Sequence, residues 1–400
     1  MPFASNFLSC RIERRIPMTH RERVIAALSH KEPDKTPIDL ASTRDSSIVV
    51  EGYERLKERF GVVEENRLTS RMMQVVDVNE QILQQLDIDT RAVNPGSPDT
   101  QGEIDIAENQ YKDEWGVVRV KPPGSFYYDQ VTFPLSGDIT MRDIVTYPWP
   151  DPHDPGRVRG LKERVKEIRE KTDCAAVLNL PSGFVHVSQY LRGFEDWFVD
   201  IKANPKLLAA LFDAVLEVNM AICEEILKEV GDEVDVLMGS DDLGLQNGLM
   251  VSVETYRELF KPRHQKYFQL FHDLSPAKVF FHTCGSVADI LDDLIDIGVD
   301  VLHPVQVTAA GMEPISLKQK YSGRLAFWGG IDTQHILPHG TVDDVKAEVE
   351  RMIETLGVGG GYILGAVHNI QPDVPLENIL AMYTHAREYQ PSFRSKTTKA

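Results

Sequence analysis

The feature that most constrains this chain is a rhythm. From residue 174 to residue 388, short apolar runs alternate with longer stretches of helical periodicity. Strands are expected over 174–180, 234–238, 279–281, 299–303, 325–328 and 362–365, with an earlier short one over 36–40. Helices are expected over 160–172, 184–193, 194–201, 205–230, 253–274, 286–297, 315–321, 342–356 and 375–388. Strands that alternate with helices pair in parallel through crossover connections. The expected class is therefore α/β, and a single (β/α)8 TIM barrel fits 400 residues. A doubly wound open sheet is the rival. No G-x-G-x-x-G follows an early strand and no Walker A motif occurs, which weakens a nucleotide-binding version of that rival. Gly359-Gly360-Gly361 precedes a strand and reads as a helix-to-strand turn.

The first hundred residues are less regular. Thr19 and Glu22 have the spacing of a capping box, and Val24, Ile25, Ala27 and Leu28 form a helical stripe behind it. Further helices are expected over 46–60 and near 75–86. Residues 104–134 change character, alternating apolar and polar side chains around a Gly turn. This predicts a β-hairpin insertion covering one end of the fold. Residues 18–390 are read as the barrel with this insertion, residues 1–17 as an N-terminal extension, and residues 391–400 as a flexible tail.

Composition narrows the partners. A net charge of −18 disfavours nucleic acid and anionic membrane surfaces. The four cysteines, Cys10, Cys174, Cys223 and Cys284, form no C-x-x-C pair, which points to a reducing, cytoplasmic setting. No apolar run approaches the length of about 18 residues that a membrane span needs. The N-terminal Arg11, Arg14 and Arg15 are not followed by the apolar core of a secretory signal.

In a barrel, chemistry gathers where strands end at their C-terminal side. Those ends carry Asp39; Asn179, Ser182 and His186; Asp241, Asp242 and Gln246; His282 and Cys284; His303 and Gln306; Asp332, Gln334 and His335; His368 and Asn369. Repetition at so many strands predicts a polar-lined cavity. In V-F-F-H-T-C-G (279–285), His282 and Cys284 are two apart, so on a strand they share a face. Imidazole plus thiolate suits Zn²⁺, and His368, past the last strand, is the expected third ligand. Three ligands with one position open is the pattern of a catalytic zinc. Asp241, Asp242 and Asp39 are the expected acid/base groups; Asn179, Gln246, His303, Gln306, Asp332 and Asn369 are expected to bind substrate. Blander readings stand beside these. His282 and Cys284 also suit a buried core, Asp241-Asp242 a hydrogen-bonded turn and helix cap, Asp39 an internal salt bridge, and His303 and His335 structural roles.

Several motifs together resemble the uroporphyrinogen decarboxylase superfamily. M-T-H-R-E-R-V-I-A-A-L-S-H-K-E-P-D-K-T-P-I (18–38) resembles its opening, and L-H-P-V-Q (302–306), G-G-I-D-T-Q (329–334) and G-G-Y-I-L-G-A-V-H-N-I-Q-P-D-V-P-L-E-N-I (360–379) resemble its later blocks. H-T-C-G (282–285) resembles the zinc motif of the corrinoid-linked methyltransferase branch, which includes methylcobalamin:coenzyme M methyltransferases. The resemblance implies a (β/α)8 barrel with its site at the C-terminal mouth. It also implies Zn²⁺ on the His and Cys of H-x-C, completed by a Cys after the last strand. This chain departs there, because His368 occupies that position. The decarboxylase branch has a His at the matching place, but its R-Q-A-G-R-Y element is missing. Residues 39–47, D-L-A-S-T-R-D-S-S, supply only Arg44. Dimers are common in the superfamily, so a homodimer is a further implication.

The expected function is zinc-dependent methyl transfer. A methyl group would move between a methylcobalamin, carried by a partner corrinoid protein, and a thiol, folate or methylated small molecule. The chain has no corrinoid-binding D-x-H-x-x-G motif of its own. The alternatives are a uroporphyrinogen decarboxylase of porphyrin biosynthesis, needing no metal, and a non-catalytic ligand-binding barrel.

Overall fold

The computed structural model describes residues 17–395. Cys10, the N-terminal arginines, most of the expected extension and the last residues of the expected tail lie outside the described residues.

Seven parallel strands form one curved sheet in the order Thr90–Val93, Ala175–Asn179, Val236–Ser240, Lys278–His282, Val301–His303, Ala326–Trp328 and Tyr362–Ile363. The segment around Ile38 closes the gap between the first and last of these. Ile38 bridges Leu364 in parallel on one side, and its carbonyl accepts the Asp89 N–H at 3.0 Å on the other. The result is the expected eight-stranded barrel. Asp39 N–H donates to the Leu364 carbonyl at 2.8 Å, so the closure is hydrogen-bonded as well as packed.

Alternation along the strands produces two cores. Ala175, Val177, Val236, Met238, Phe280, Val301, Ala326, Trp328 and Ile363 point into the lumen and pack with Val24, Ala27 and Leu28 of the helix His20–Leu28. That helix plugs the barrel floor, and its predicted capping box is formed by Thr19 and Glu22. The other parity, including Leu178, Leu237, Phe281, Leu302 and Phe327, packs against the outer helices. His282 follows Phe280 by two residues and so faces the lumen.

Three differences from expectation have local causes. The strand Thr90–Val93 is a short run interrupted by Thr90 and Arg91. Val75–Val76 is a strand paired antiparallel with Leu68–Ser70, which suits two adjacent β-branched residues, and the helix starts later, at Glu80, where the Asn79 side chain caps it. The insertion is larger than one hairpin. It is a four-stranded antiparallel sheet of Ile104–Ala107, Gln110–Lys112, Val118–Val120 and Asp129–Thr132. Among the described residues no helix is long and apolar enough to cross a membrane.

Candidate active site

The H-T-C-G turn is shaped by two glycines. Gly285 has φ +89°, and a side chain there would run into the Gly244 carbonyl. Gly244 N–H donates to the Cys284 carbonyl at 3.1 Å and Ser286 N–H to the Leu245 carbonyl at 2.8 Å. Gln306 Oε1 accepts the Gly285 N–H at 2.7 Å. The turn carrying Cys284 is thereby held from two neighbouring strand ends.

His282, Cys284 and His368 converge. One ligand atom from each lies within 4.8 Å of the others. Cys284 Sγ is 3.4 Å from His282 Nε2. Zinc bonds of about 2.3 Å to sulfur and about 2.0 Å to nitrogen at a tetrahedral angle put S and N about 3.5 Å apart. The donor set and this spacing fit zinc. The electrostatics agree. Burial pushes the Cys284 thiol well above its ordinary pKa, and the carboxylates of Asp242 and Asp45 push it further. Burial and the neighbouring His282 hold His368 below the usual imidazole range. A neutral His368 imidazole beside a thiol that needs a cation to ionise is the state a metal exchanges into.

The two adjacent aspartates have different work. Asp241 is fully buried and accepts backbone N–H bonds from Phe184 (2.8 Å), Val185 (2.9 Å) and His186 (3.2 Å). It also lies 3.2 Å from His264 Nε2. It caps the helix Val185–Arg192 from the end of the neighbouring strand, the blander of its two sequence readings. Asp242 faces the site. Its Oδ1 accepts the Cys284 N–H at 2.7 Å and lies 3.7 Å from His282 Nε2, while its Oδ2 is 3.3 Å from His186 Nε2. Burial opposes its charge, but His186, His282 and the Cys284 N–H hold it well below the usual carboxylate range. Burial likewise opposes charge on His186, yet Asp242, helped by Asp241 and Asp45, pushes it up to about 9.

A cavity of about 860 Å³ opens over this cluster. Asp45, Asn179, His186, Asp242, His282 and His368 line its floor; Arg71, Arg119, Tyr127 and Tyr128 line its roof. The insertion therefore covers the mouth. Arg119 is paired with Asp113 at 2.9 Å and lies over the Tyr190 ring at 4.6 Å. Arg71 is paired with Asp105 at 2.5 Å. Arg44 donates to the Leu180 carbonyl at 3.0 Å and has no carboxylate partner among the described residues.

The remaining predicted residues are spread. Asp39 spends both oxygens inside the barrel, accepting from Thr90 Oγ1 at 2.5 Å and Trp328 Nε1 at 2.9 Å. It does not reach the cavity. Asn179 lines it, donating to the Ser42 carbonyl at 3.0 Å with its own Oδ1 unpartnered. Asn369 is buried, and with its amide assigned to face its acceptors it donates to the carbonyls of Arg44 (2.6 Å) and Asp45 (3.1 Å), which positions that loop. Gln306 holds the H-T-C-G turn, and Gln246 is exposed, joined to Gln306 and the Thr308 carbonyl. Asp332 accepts backbone N–H groups of its own turn at 2.7 and 3.2 Å. His303 is fully buried against His282, below the cavity. Sequence reasoning missed Asp45 and gave His186 no role. Asp45 sits in the exit loop of the first strand, six residues past Asp39, so the strand-end rule alone could have found it.

Comparison with known proteins shows the family and the fold. A family model described as uroporphyrinogen decarboxylase (URO-D) matches residues 131–389. A methylcobamide:CoM methyltransferase MtaA of Methanosarcina barkeri is 25% identical over 243 residues, 58% of this chain and 64% of that protein. A uroporphyrinogen decarboxylase of Chlamydia caviae is 27% identical over 230 residues, 55% of this chain and 64% of that protein. The chain thus matches a little under two thirds of the length of these relatives. A methyltransferase structure from Methanosarcina mazei superimposes with a TM-score of 0.65 at 21% identity, covering 93% of this chain and 99% of that one, and supports the fold. With more than half of its residues matched by the family model, the chain belongs to the uroporphyrinogen decarboxylase (URO-D) family.

Proposed function

We propose that the protein is a zinc-dependent methyltransferase of the corrinoid-linked branch of this family. One observation carries the reading: His282, Cys284 and His368 bring their ligand atoms together, and His282 and His368 line a cavity large enough for a small molecule and open at the barrel mouth. His282 Nε2, Cys284 Sγ and a ring nitrogen of His368 would hold the metal. Zinc there would lower the pKa of a thiol substrate or polarise a methylated oxygen. Asp242 fixes the Cys284 backbone and carries the negative charge that balances His186. His186, an imidazolium at neutral pH, is placed to donate a hydrogen bond or a proton in the cavity. Asp45 and Asn179 offer acceptor atoms that no described residue uses. Asp39 and Asp241 are read as structural. The methyl group would travel to or from a corrinoid on a partner protein docked at the mouth, in the cytoplasm.

The decarboxylase reading has less support. A substrate bearing many carboxylates needs several free cations. Of the arginines lining this cavity, Arg71, Arg119 and Arg157 are already paired with acids, and Arg44 stands alone.

The test is metal content of the purified protein, wild type against Cys284→Ala, followed by demethylation of methylcobalamin with thiol and folate acceptors. Near one zinc per chain, lost in the variant together with turnover, is the expected result. Absence of zinc from the wild type after reconstitution would sink the mechanism.

A further inference from the structure

His282 and His303 meet ring nitrogen to ring nitrogen at hydrogen-bond distance. Their Nδ1 atoms are 2.8 Å apart. The residues face each other on neighbouring parallel strands whose register pairs His282 with His303. Two ring nitrogens at that separation need one hydrogen between them, so one ring donates and the other accepts.

The direction follows from the other end of His282. Its Nε2 points at Cys284 Sγ, 3.4 Å away. A nitrogen that binds a metal carries no proton, so the ring hydrogen must sit on Nδ1. His303 then accepts at Nδ1 and keeps its own hydrogen on Nε2. That Nε2 is buried with no hydrogen-bond partner among the described residues. The ring is stacked on Phe280 with centroids 5.0 Å apart and planes at 26°, and is wholly shielded from solvent. It has little freedom to turn. Asp45 is the rival acceptor, but its Oδ2 is 3.9 Å from His282 Nδ1, beyond hydrogen-bond reach.

We propose that His303 is the positioning residue of this site: a neutral imidazole that accepts the Nδ1 proton of His282 and so fixes the tautomer presenting Nε2 to the metal. This rests on the metal reading of His282 and adds a consequence to it. Metal-binding histidines commonly donate to a carboxylate, carbonyl or water, and an anionic acceptor raises ligand basicity. A neutral imidazole donates less charge, which leaves the bound cation a stronger Lewis acid. His303 touches neither cavity nor substrate, so its effect should appear in metal binding before it appears in substrate affinity.

The experiment measures Zn²⁺ affinity by competition with a chromophoric chelator, on the full chain, for wild type, His303→Phe, His303→Asn and Asp45→Asn. Phe keeps the ring and removes the acceptor; the Asn carbonyl restores an acceptor. Loss of such a partner typically costs about 10-fold to 100-fold in metal affinity. That loss is expected in His303→Phe, partial recovery in His303→Asn, and an Asp45→Asn value close to wild type. Wild-type affinity in His303→Phe overturns the inference, as does a loss confined to Asp45→Asn. A wild type that binds no zinc removes the methyltransferase reading and this inference with it, a distinct outcome. If the Phe variant does not fold, long-range ¹H–¹⁵N spectra of the zinc-loaded wild type decide the matter. They should show His303 protonated at Nε2 only, and a proton fixed on His303 Nδ1 overturns the assignment.

Discussion

The carboxylate of Asp242 is tied to the backbone of Cys284: its Oδ1 accepts that residue's N–H at 2.7 Å. The bond crosses from the end of one barrel strand to the turn after the next. It sets the height of the thiol relative to His282, because the two side chains share one short turn. The sulfur is thus positioned by main chain and not by its own rotamer alone.

The proposed metal site can be challenged at its unusual member. The superfamily resemblance implies a Cys where this chain has His368. A catalytic zinc tolerates either His₂Cys or Cys₂His ligation. His368→Cys should therefore keep zinc near one per chain, while His368→Ala should lose most of it. Elemental analysis after dialysis reads both. Full zinc retention by the Ala variant would remove His368 from the ligand set.

Asp241 predicts a stability effect distinct from chemistry. Its three backbone bonds and its contact with His264 are all buried. Asp241→Asn keeps the shape but turns an amide N–H₂ toward N–H donors. Removing a buried acceptor in this way costs about 2–4 kcal/mol. Gly183→Ala should cost about 1–3 kcal/mol by overpacking, since a β-carbon there would overlap the same carboxylate. Urea unfolding with unchanged m-values checks both. Wild-type stability in Asp241→Asn would mean the cap is dispensable.

How far the sequence reveals this arrangement depends on who satisfies each polar group. Most barrel strands are legible because they are buried on both faces and so read as apolar runs. Thr90–Val93 is not, because Thr90 spends its hydroxyl on Asp39 and Arg91 reaches Glu80 at 2.8 Å; both look like loop residues until those partners are known. The convergence of His282, Cys284 and His368 is legible because parity on one strand and position after another need no distances. The roles of Asp39, Asp241 and His303 are not, because a strand-end polar residue can turn inward to a capping or packing task as readily as toward the cavity. Asp45 shows the converse. It lies in the exit loop of the first strand, where the strand-end rule reaches it, but only the folded chain shows that it turns toward His282.

Alkaline stability should report the buried thiols. Burial pushes Cys174 up to about 11, from an ordinary value of 9.0, and pushes Cys223 higher still. A folded-state pKa above the unfolded one gives stability that is complete below about pH 9 and lost as the pH rises through the folded value. Between those limits each such thiol contributes a loss of about 1.4 kcal/mol per pH unit. Urea midpoints from about pH 7.5 to about pH 10.5 should fall less steeply for Cys174→Ala than for wild type. Parallel curves would mean that the folded thiol ionises freely.

The last prediction concerns the roof of the cavity. Tyr127, in the insertion between the strands Val118–Val120 and Asp129–Thr132, accepts a hydrogen bond from Gln371 Nε2 at 2.5 Å. Gln371 lies three residues past His368 on the loop that follows the last barrel strand. One hydroxyl therefore joins the covering sheet to the loop carrying a proposed metal ligand. A hydrogen bond of this kind contributes about 1 kcal/mol, or roughly fivefold in an equilibrium constant. Tyr127→Phe keeps the ring over the cavity and removes only the link. Zinc content should stay at the wild-type level, since no ligand atom is touched. The KM for the small-molecule substrate should rise by about fivefold with kcat little changed, because a loosened roof weakens ground-state and transition-state binding alike. Steady-state kinetics at saturating methylcobalamin separate the two constants. A fall in kcat with unchanged KM would instead place Tyr127 among the groups acting on the reacting methyl, and the roof would be part of the chemistry and not merely its cover.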